Sequence, residues 1–102
     1  MKDLAYLTAQ TGHEFAILRG KHEDVLFHGT ATRCEFPDEL IDWLFSGKVQ
    51  IFGHSHPGEE FPIPSPQDRA TLARIGQQES RLISGMTGLE ITFTTDPFEG
   101  LL

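Results

Sequence analysis

Apolar and polar positions change period several times along the chain, and each change marks an element. Between residues 3 and 11, Leu4 and Leu7 fall on one side of a short helical stretch without an obvious cap, and Thr11-Gly12 closes it. From His13 to Arg19 the pattern alternates. Phe15 and Ile17 share one face, and Glu14, Ala16 and Leu18 share the other, which predicts a strand. A turn over residues 20–23 leads to a second strand over 25–32, antiparallel to the first.

Periodicity then shifts to 3–4 residues. Pro37, Asp38 and Glu39 suit a first helical turn, with the acids at the positive end of the helix dipole. Leu40, Ile41, Leu44 and Phe45 form the buried stripe of that helix, with Trp43 expected in the core beside them, and Gly47 ends it. Residues 49–56 (VQIFGHSH) predict a third strand, and 57–64 a polar, proline-rich loop. Ser65-Pro66-Gln67-Asp68 opens a helix that carries Leu72 and Ile75 and loosens at Gly76. Short strands over 81–84 and 89–95 complete the chain. Two strands, then a helix, a strand, a helix and two more strands, all after a leading helix, predict a small mixed α/β (α+β) fold. Its sheet is mostly antiparallel, with helices packed against it.

The 102 residues amount to one domain, taken as 1–102, which buries about two thirds of its unfolded surface. Eight Phe argue against wholesale disorder, and a single Cys excludes a disulfide scaffold. No apolar run reaches the roughly 18 residues of a membrane span, and the N-terminus lacks a secretory h-region. A cytoplasmic protein with no membrane partner is therefore expected. The formal charge of −7 and the scatter of Arg69, Arg74 and Arg81 argue against nucleic acid, which is bound through clustered cations. The acidity itself reads as solubility.

The informative stretch for chemistry is Gly53 to Asp68. His54 and His56 are two apart, so on a strand both imidazoles project from one face. Two imidazoles can share a metal, and Asp68 can add a carboxylate oxygen from the next helix. Two N ligands and one O ligand leave a fourth position for water, the pattern of a catalytic zinc site. Ser65 and Asp68 have a structural reading as well: Ser at the N-cap, Pro at the first position and an acid three residues on resemble a capping box. The two readings are compatible, because a fixed helix start would hold Asp68 towards the histidines.

His54-Ser55-His56-Pro57 followed by Pro64-Ser65-Pro66-Gln67-Asp68 resembles the metal motif of the JAMM (JAB/MPN-type) metallopeptidases. That motif is H-[ST]-H, a loop often opened by proline, then S-x-x-D, with a Glu on an upstream strand. Glu14, at the head of the apolar run from Phe15 to Leu18, is similar to that Glu. The resemblance spans about residues 4–95 and is nearest to compact bacterial and phage-associated JAB-like domains, which often occur attached to larger proteins. It implies an MPN/JAB-like fold with the layering of cytidine deaminases. It further implies Zn²⁺ on His54, His56 and Asp68, Glu14 as the base that takes a proton from the zinc water, and Ser65 as a hydrogen-bond donor to the developing oxyanion. The implied reaction is hydrolysis of a peptide or isopeptide bond in a peptide, protein tail or ubiquitin-like protein. The chain departs from the family in a slightly longer loop before Ser65 and in little room for substrate-positioning insertions.

Other candidates are weaker. Glu23, Glu35 and Glu39 rival Glu14 as base but fit solvated positions. His13 and His22 read as exposed turn residues, and His28 as a structural histidine. Cys34 reads as a small apolar residue. Glu59, Glu60 and Phe61 read as a solvated loop or a flap over substrate. The alternative functions are a catalytically silent MPN-like binding module or domain of a larger phage or bacterial protein, and a cupin-like H-x-H metalloprotein. The complete set of five residues speaks against the first. The helix at 65–76 speaks against the second.

Overall fold

Among the described residues, three helices and five strands follow one another in the predicted order: α1 (Lys2–Thr11), β1 (Phe15–Gly20), β2 (Asp24–His28), α2 (Asp38–Ser46), β3 (Val49–His56), α3 (Pro66–Ile75), β4 (Glu79–Ser84) and β5 (Glu90–Thr94). The structure is a computed structural model and describes residues 1–98. Residues 99–102, the end of the domain expected over 1–102, lie outside the described residues. The strands form one open sheet in the order β2-β1-β3-β4-β5. Every pairing is antiparallel except β3 with β4, which α3 connects as a crossover. The chain is thus a small α+β fold with a mostly antiparallel sheet.

The helices cover both faces of that sheet. On one face α1 packs over β1, β3 and β4, and Leu4 meets Phe15 and Ile83. On the other, Leu44 of α2 and Leu72 of α3 bury against Leu18, Ile51, Leu82 and Phe93. Full burial of such a side chain stabilises by about 1.5–3 kcal/mol. Alternation along β1 sorts Phe15 and Ile17 to the α1 face and Ala16 and Leu18 to the opposite core, as the sequence pattern predicts. Among the described residues no helix is long and apolar enough to cross a membrane.

One irregularity in β3 positions the site. Ile17 pairs with Gly53, but the next residue, Leu18, pairs with Ile51, so Phe52 has no partner on β1. Such a bulge puts two successive residues on the same face. Phe52 lies under the guanidinium groups of Arg19 and Arg81, 3.7 and 4.6 Å from its ring centroid. A Cβ on Gly53 would meet Met1 at 2.5 Å, so that residue also faces α1. Ser55, hydrogen-bonded to Thr8 of α1, keeps to the same side. Ile51, His54 and His56 consequently all face α2 and α3.

Several boundaries and burials differ from the sequence expectations. β2 ends at His28, short of Thr32, because the chain closes a turn in which the Thr30 N–H donates to the Arg33 carbonyl. β4 begins at Glu79, two residues early, where the Ser80 hydroxyl donates to the Ile51 carbonyl. Trp43 is 47% exposed and Phe45 53%, so neither is core. A nine-residue helix on a sheet buries only a narrow stripe, here Leu44 with Leu40 and Ile41 beside it. Phe45 instead lies near the Arg74 guanidinium, 5.8 Å from its ring centroid.

Candidate metal centre

Each chemical group at the C-terminal end of β3 is held by a local device. His54 and His56 occupy alternate positions on the strand, are 6% and 7% exposed, and have ring centroids 5.0 Å apart. Ser65 caps α3: its hydroxyl accepts the Asp68 N–H at 3.0 Å, and the Asp68 carboxylate accepts the Ser65 N–H at 2.9 Å. This capping box aims Asp68 back at the strand. Asp68 Oδ1 lies 3.1 Å from His54 Nε2, and Oδ2 lies 3.1 Å from His56 Nε2. The two Nε2 atoms are 3.2 Å apart. One carboxylate therefore spans two imidazole nitrogens that face each other.

Glu14 approaches from β1. Its N–H donates to the Thr30 carbonyl, and its own carbonyl accepts the Gly29 N–H, which fixes the residue just before the strand begins. The side chain is buried, and Glu14, His54 and His56 each offer a ligand atom within 4.8 Å of the others. The two histidines are thus common to two sets of three, one completed by Asp68 and one by Glu14. Ser65 joins Glu14, Thr32, His56 and Glu59 in lining a cleft of about 260 Å³. A second cavity, of about 60 Å³, is lined by Cys34, Phe36, His54, Asp68 and Phe93 among others.

The electrostatics follow from burial and contact. Burial works to raise the Asp68 carboxyl, but hydrogen bonds from His54 and His56, the charge of His54 and the Ser65 N–H together hold it well below the usual carboxylate range. Burial works to lower His56, yet the hydrogen bonds to Asp68 and Glu59 outweigh it and bring the imidazole up to about 9. Glu14 is raised, chiefly by burial; the charges of His56 and His54 oppose the shift, and Asp68 and Glu59 reinforce it. The Cys34 thiol is pushed up to about 12 by burial, with the negative charges of Glu14 and Asp68 adding to it.

All five residues singled out in the sequence, Glu14, His54, His56, Ser65 and Asp68, meet in this region. The rival acids do not: Glu23, Glu35 and Glu39 are exposed, and Glu35 pairs with Arg33 at 2.8 Å. His28 has partners of its own, stacking on Phe15 and lying 2.8 Å from His13 Nδ1 through its Nε2. The residue that sequence reasoning left in a solvated loop is Glu59. Its Oε2 lies 3.0 Å from His56 Nδ1 and accepts the Ile63 N–H at 3.1 Å. The available signal was an acid three residues after a histidine, across a Pro-Gly turn in which Gly58 takes φ +76°.

Two imidazole nitrogens and a carboxylate at mutual distances near 3 Å form an N,N,O set able to hold a divalent transition metal, and a second buried acid lies beside them. No protein-family model matches the chain, and no curated protein matches it.

Proposed function

We propose that the chain is a zinc-dependent hydrolase of peptide or isopeptide bonds. The observation that carries this is the Asp68 carboxylate set 3.1 Å from both His54 Nε2 and His56 Nε2, with buried Glu14 grouped against the same imidazoles. The likeness of these residues to the JAMM motif supports it. His54, His56 and Asp68 would hold the ion. Bound there, zinc supplies a Lewis acid and a water acidified towards neutrality. Glu14, with its pKa raised towards the working range by burial, accepts the proton of the attacking water. As the C–N bond breaks, Glu14 returns that proton to the leaving nitrogen. The Ser65 hydroxyl accepts from Asp68 N–H but keeps its own O–H to donate to the carbonyl oxygen as negative charge develops there. The cleft shared by Glu14, Ser65 and Glu59 is where a peptide or protein tail would lie. A cytoplasmic setting belongs to the same proposal and is supported by the lone cysteine.

Metal analysis and hydrolysis of a mixed peptide library test it together. The wild-type chain should carry about one equivalent of zinc, and His56→Ala should lose it. Glu14→Gln and Glu14→Ala should keep zinc while hydrolysis falls by at least about 10²-fold. Wild-type protein without zinc, or Glu14 variants as active as wild type, would overturn the reading.

A further inference from the structure

We infer that Glu59 is a positioning residue for the metal centre, an outer carboxylate that fixes the His56 ring with its proton on Nδ1 so that Nε2 presents its lone pair to an ion. The inference rests on the zinc reading above and extends it to a residue outside the ligand set. A neutral imidazole has one N–H, and the hydrogen bond at one nitrogen decides which nitrogen is left to coordinate. Here the Glu59 carboxylate lies 3.0 Å from Nδ1, while Nε2 lies 3.1 Å from Asp68 and 3.2 Å from His54 Nε2. A carboxylate has no proton to donate in its ionised form, so the proton between the pair belongs on Nδ1.

Glu59 is itself held at two further points. Its Oε2 accepts the Ile63 N–H, and its carbonyl accepts the hydroxyl of Ser84, the β4 residue that pairs with His56. The neighbouring Glu60 carbonyl accepts the Thr87 hydroxyl at 2.7 Å. The loop over 57–64 is therefore tied to the β4–β5 turn at one end of a chain of contacts and to His56 at the other. This loop also leads into Ser65 and Asp68, so one carboxylate links the histidine to the segment that delivers the remaining ligand.

The test uses the full chain and Zn²⁺ alone, titrated in competition with a chromophoric chelator, together with long-range ¹H–¹⁵N spectra that report the His56 tautomer. Melting curves in EDTA confirm that each variant folds. In metal-free wild type at about pH 10.5, above the His56 transition, the neutral ring should be protonated on Nδ1. Glu59→Ala should lose about 10–100-fold in zinc affinity, as removal of outer carboxylates does, and should populate the other tautomer. Glu59→Gln, whose amide oxygen can still accept from Nδ1, should recover part of the affinity and the tautomer. Glu59→Ala with wild-type affinity and an unchanged tautomer, beside a His56→Ala control that loses zinc, would overturn the role of Glu59 and leave the metal reading intact. A wild-type chain that binds no zinc would overturn both.

Discussion

Cys34 shows how far a site imposes itself on a residue that takes no part in it. The thiol is pushed up to about 12 by burial and by the charges of Glu14 and Asp68. The thiolate is the reactive form, so an alkylating reagent at pH 8 should modify Cys34 at least about 10²-fold more slowly than a free thiol, with the rate rising roughly tenfold per pH unit. Alkylation at the free-thiol rate would show that Cys34 is not desolvated as its burial beside Glu14 and Asp68 requires. At this scale His54, His56 and the Ser65–Asp68 capping box were legible in residue type and spacing, whereas Glu14 was singled out through the resemblance to the JAMM motif. Glu59 was not. An acid in a loop rich in Pro and Gly is usually solvated; here the Gly58 turn and the contacts to Ile63 and Ser84 hold it against His56. Trp43 failed for the opposite reason: an aromatic on an amphipathic helix is usually core, but α2 buries too narrow a stripe to include it.

Among elements, α3 bears most directly on the site. Its capping box fixes the first turn and aims Asp68 with the same two hydrogen bonds. Ser65→Ala should cost about 1 kcal/mol of stability in urea unfolding with EDTA present, the usual loss for an N-cap hydroxyl. It should also weaken zinc binding, because Asp68 then keeps only one of the two capping hydrogen bonds, that from the backbone N–H of residue 65. An unfolding midpoint equal to wild type would mean that the cap is not what holds the helix start. Element order and type were legible because hydrophobic period alone separates these helices from these strands. Ends were less so, since the stop of β2 and the start of β4 depend on hydrogen bonds to Arg33 and Ile51, residues distant from the local pattern or outside the strand itself.

For the whole molecule, the cluster makes stability depend on pH in a way zinc should reverse. In metal-free protein His56 titrates at about 9 against an ordinary 6.5, so its stabilisation is complete below about 6.5 and lost as pH rises through 9. That contribution amounts to up to about 3 kcal/mol. Glu14, raised by burial, adds a loss of the same sign above its ordinary 4.5. Asp68, held low, contributes stability above 3.8 that disappears only on acidification. Thermal melts in EDTA should therefore fall from pH 6 to pH 9.5. With excess Zn²⁺ the melting temperature should instead rise from pH 6 to pH 8, because coordination requires the deprotonated imidazole. Parallel pH slopes with and without zinc would contradict the placement of His56 in the site.

The unpaired Phe52 in β3 has a consequence for how such a site is inherited. With regular alternation from Ile51, the strand would turn Gly53 and Ser55 to the Asp68 side and push both imidazoles under α1. The functional address of the histidines is thus a matter of counting, set by one supernumerary residue upstream of them. A single-residue insertion or deletion there could leave every letter of the motif in place and still dismantle the centre.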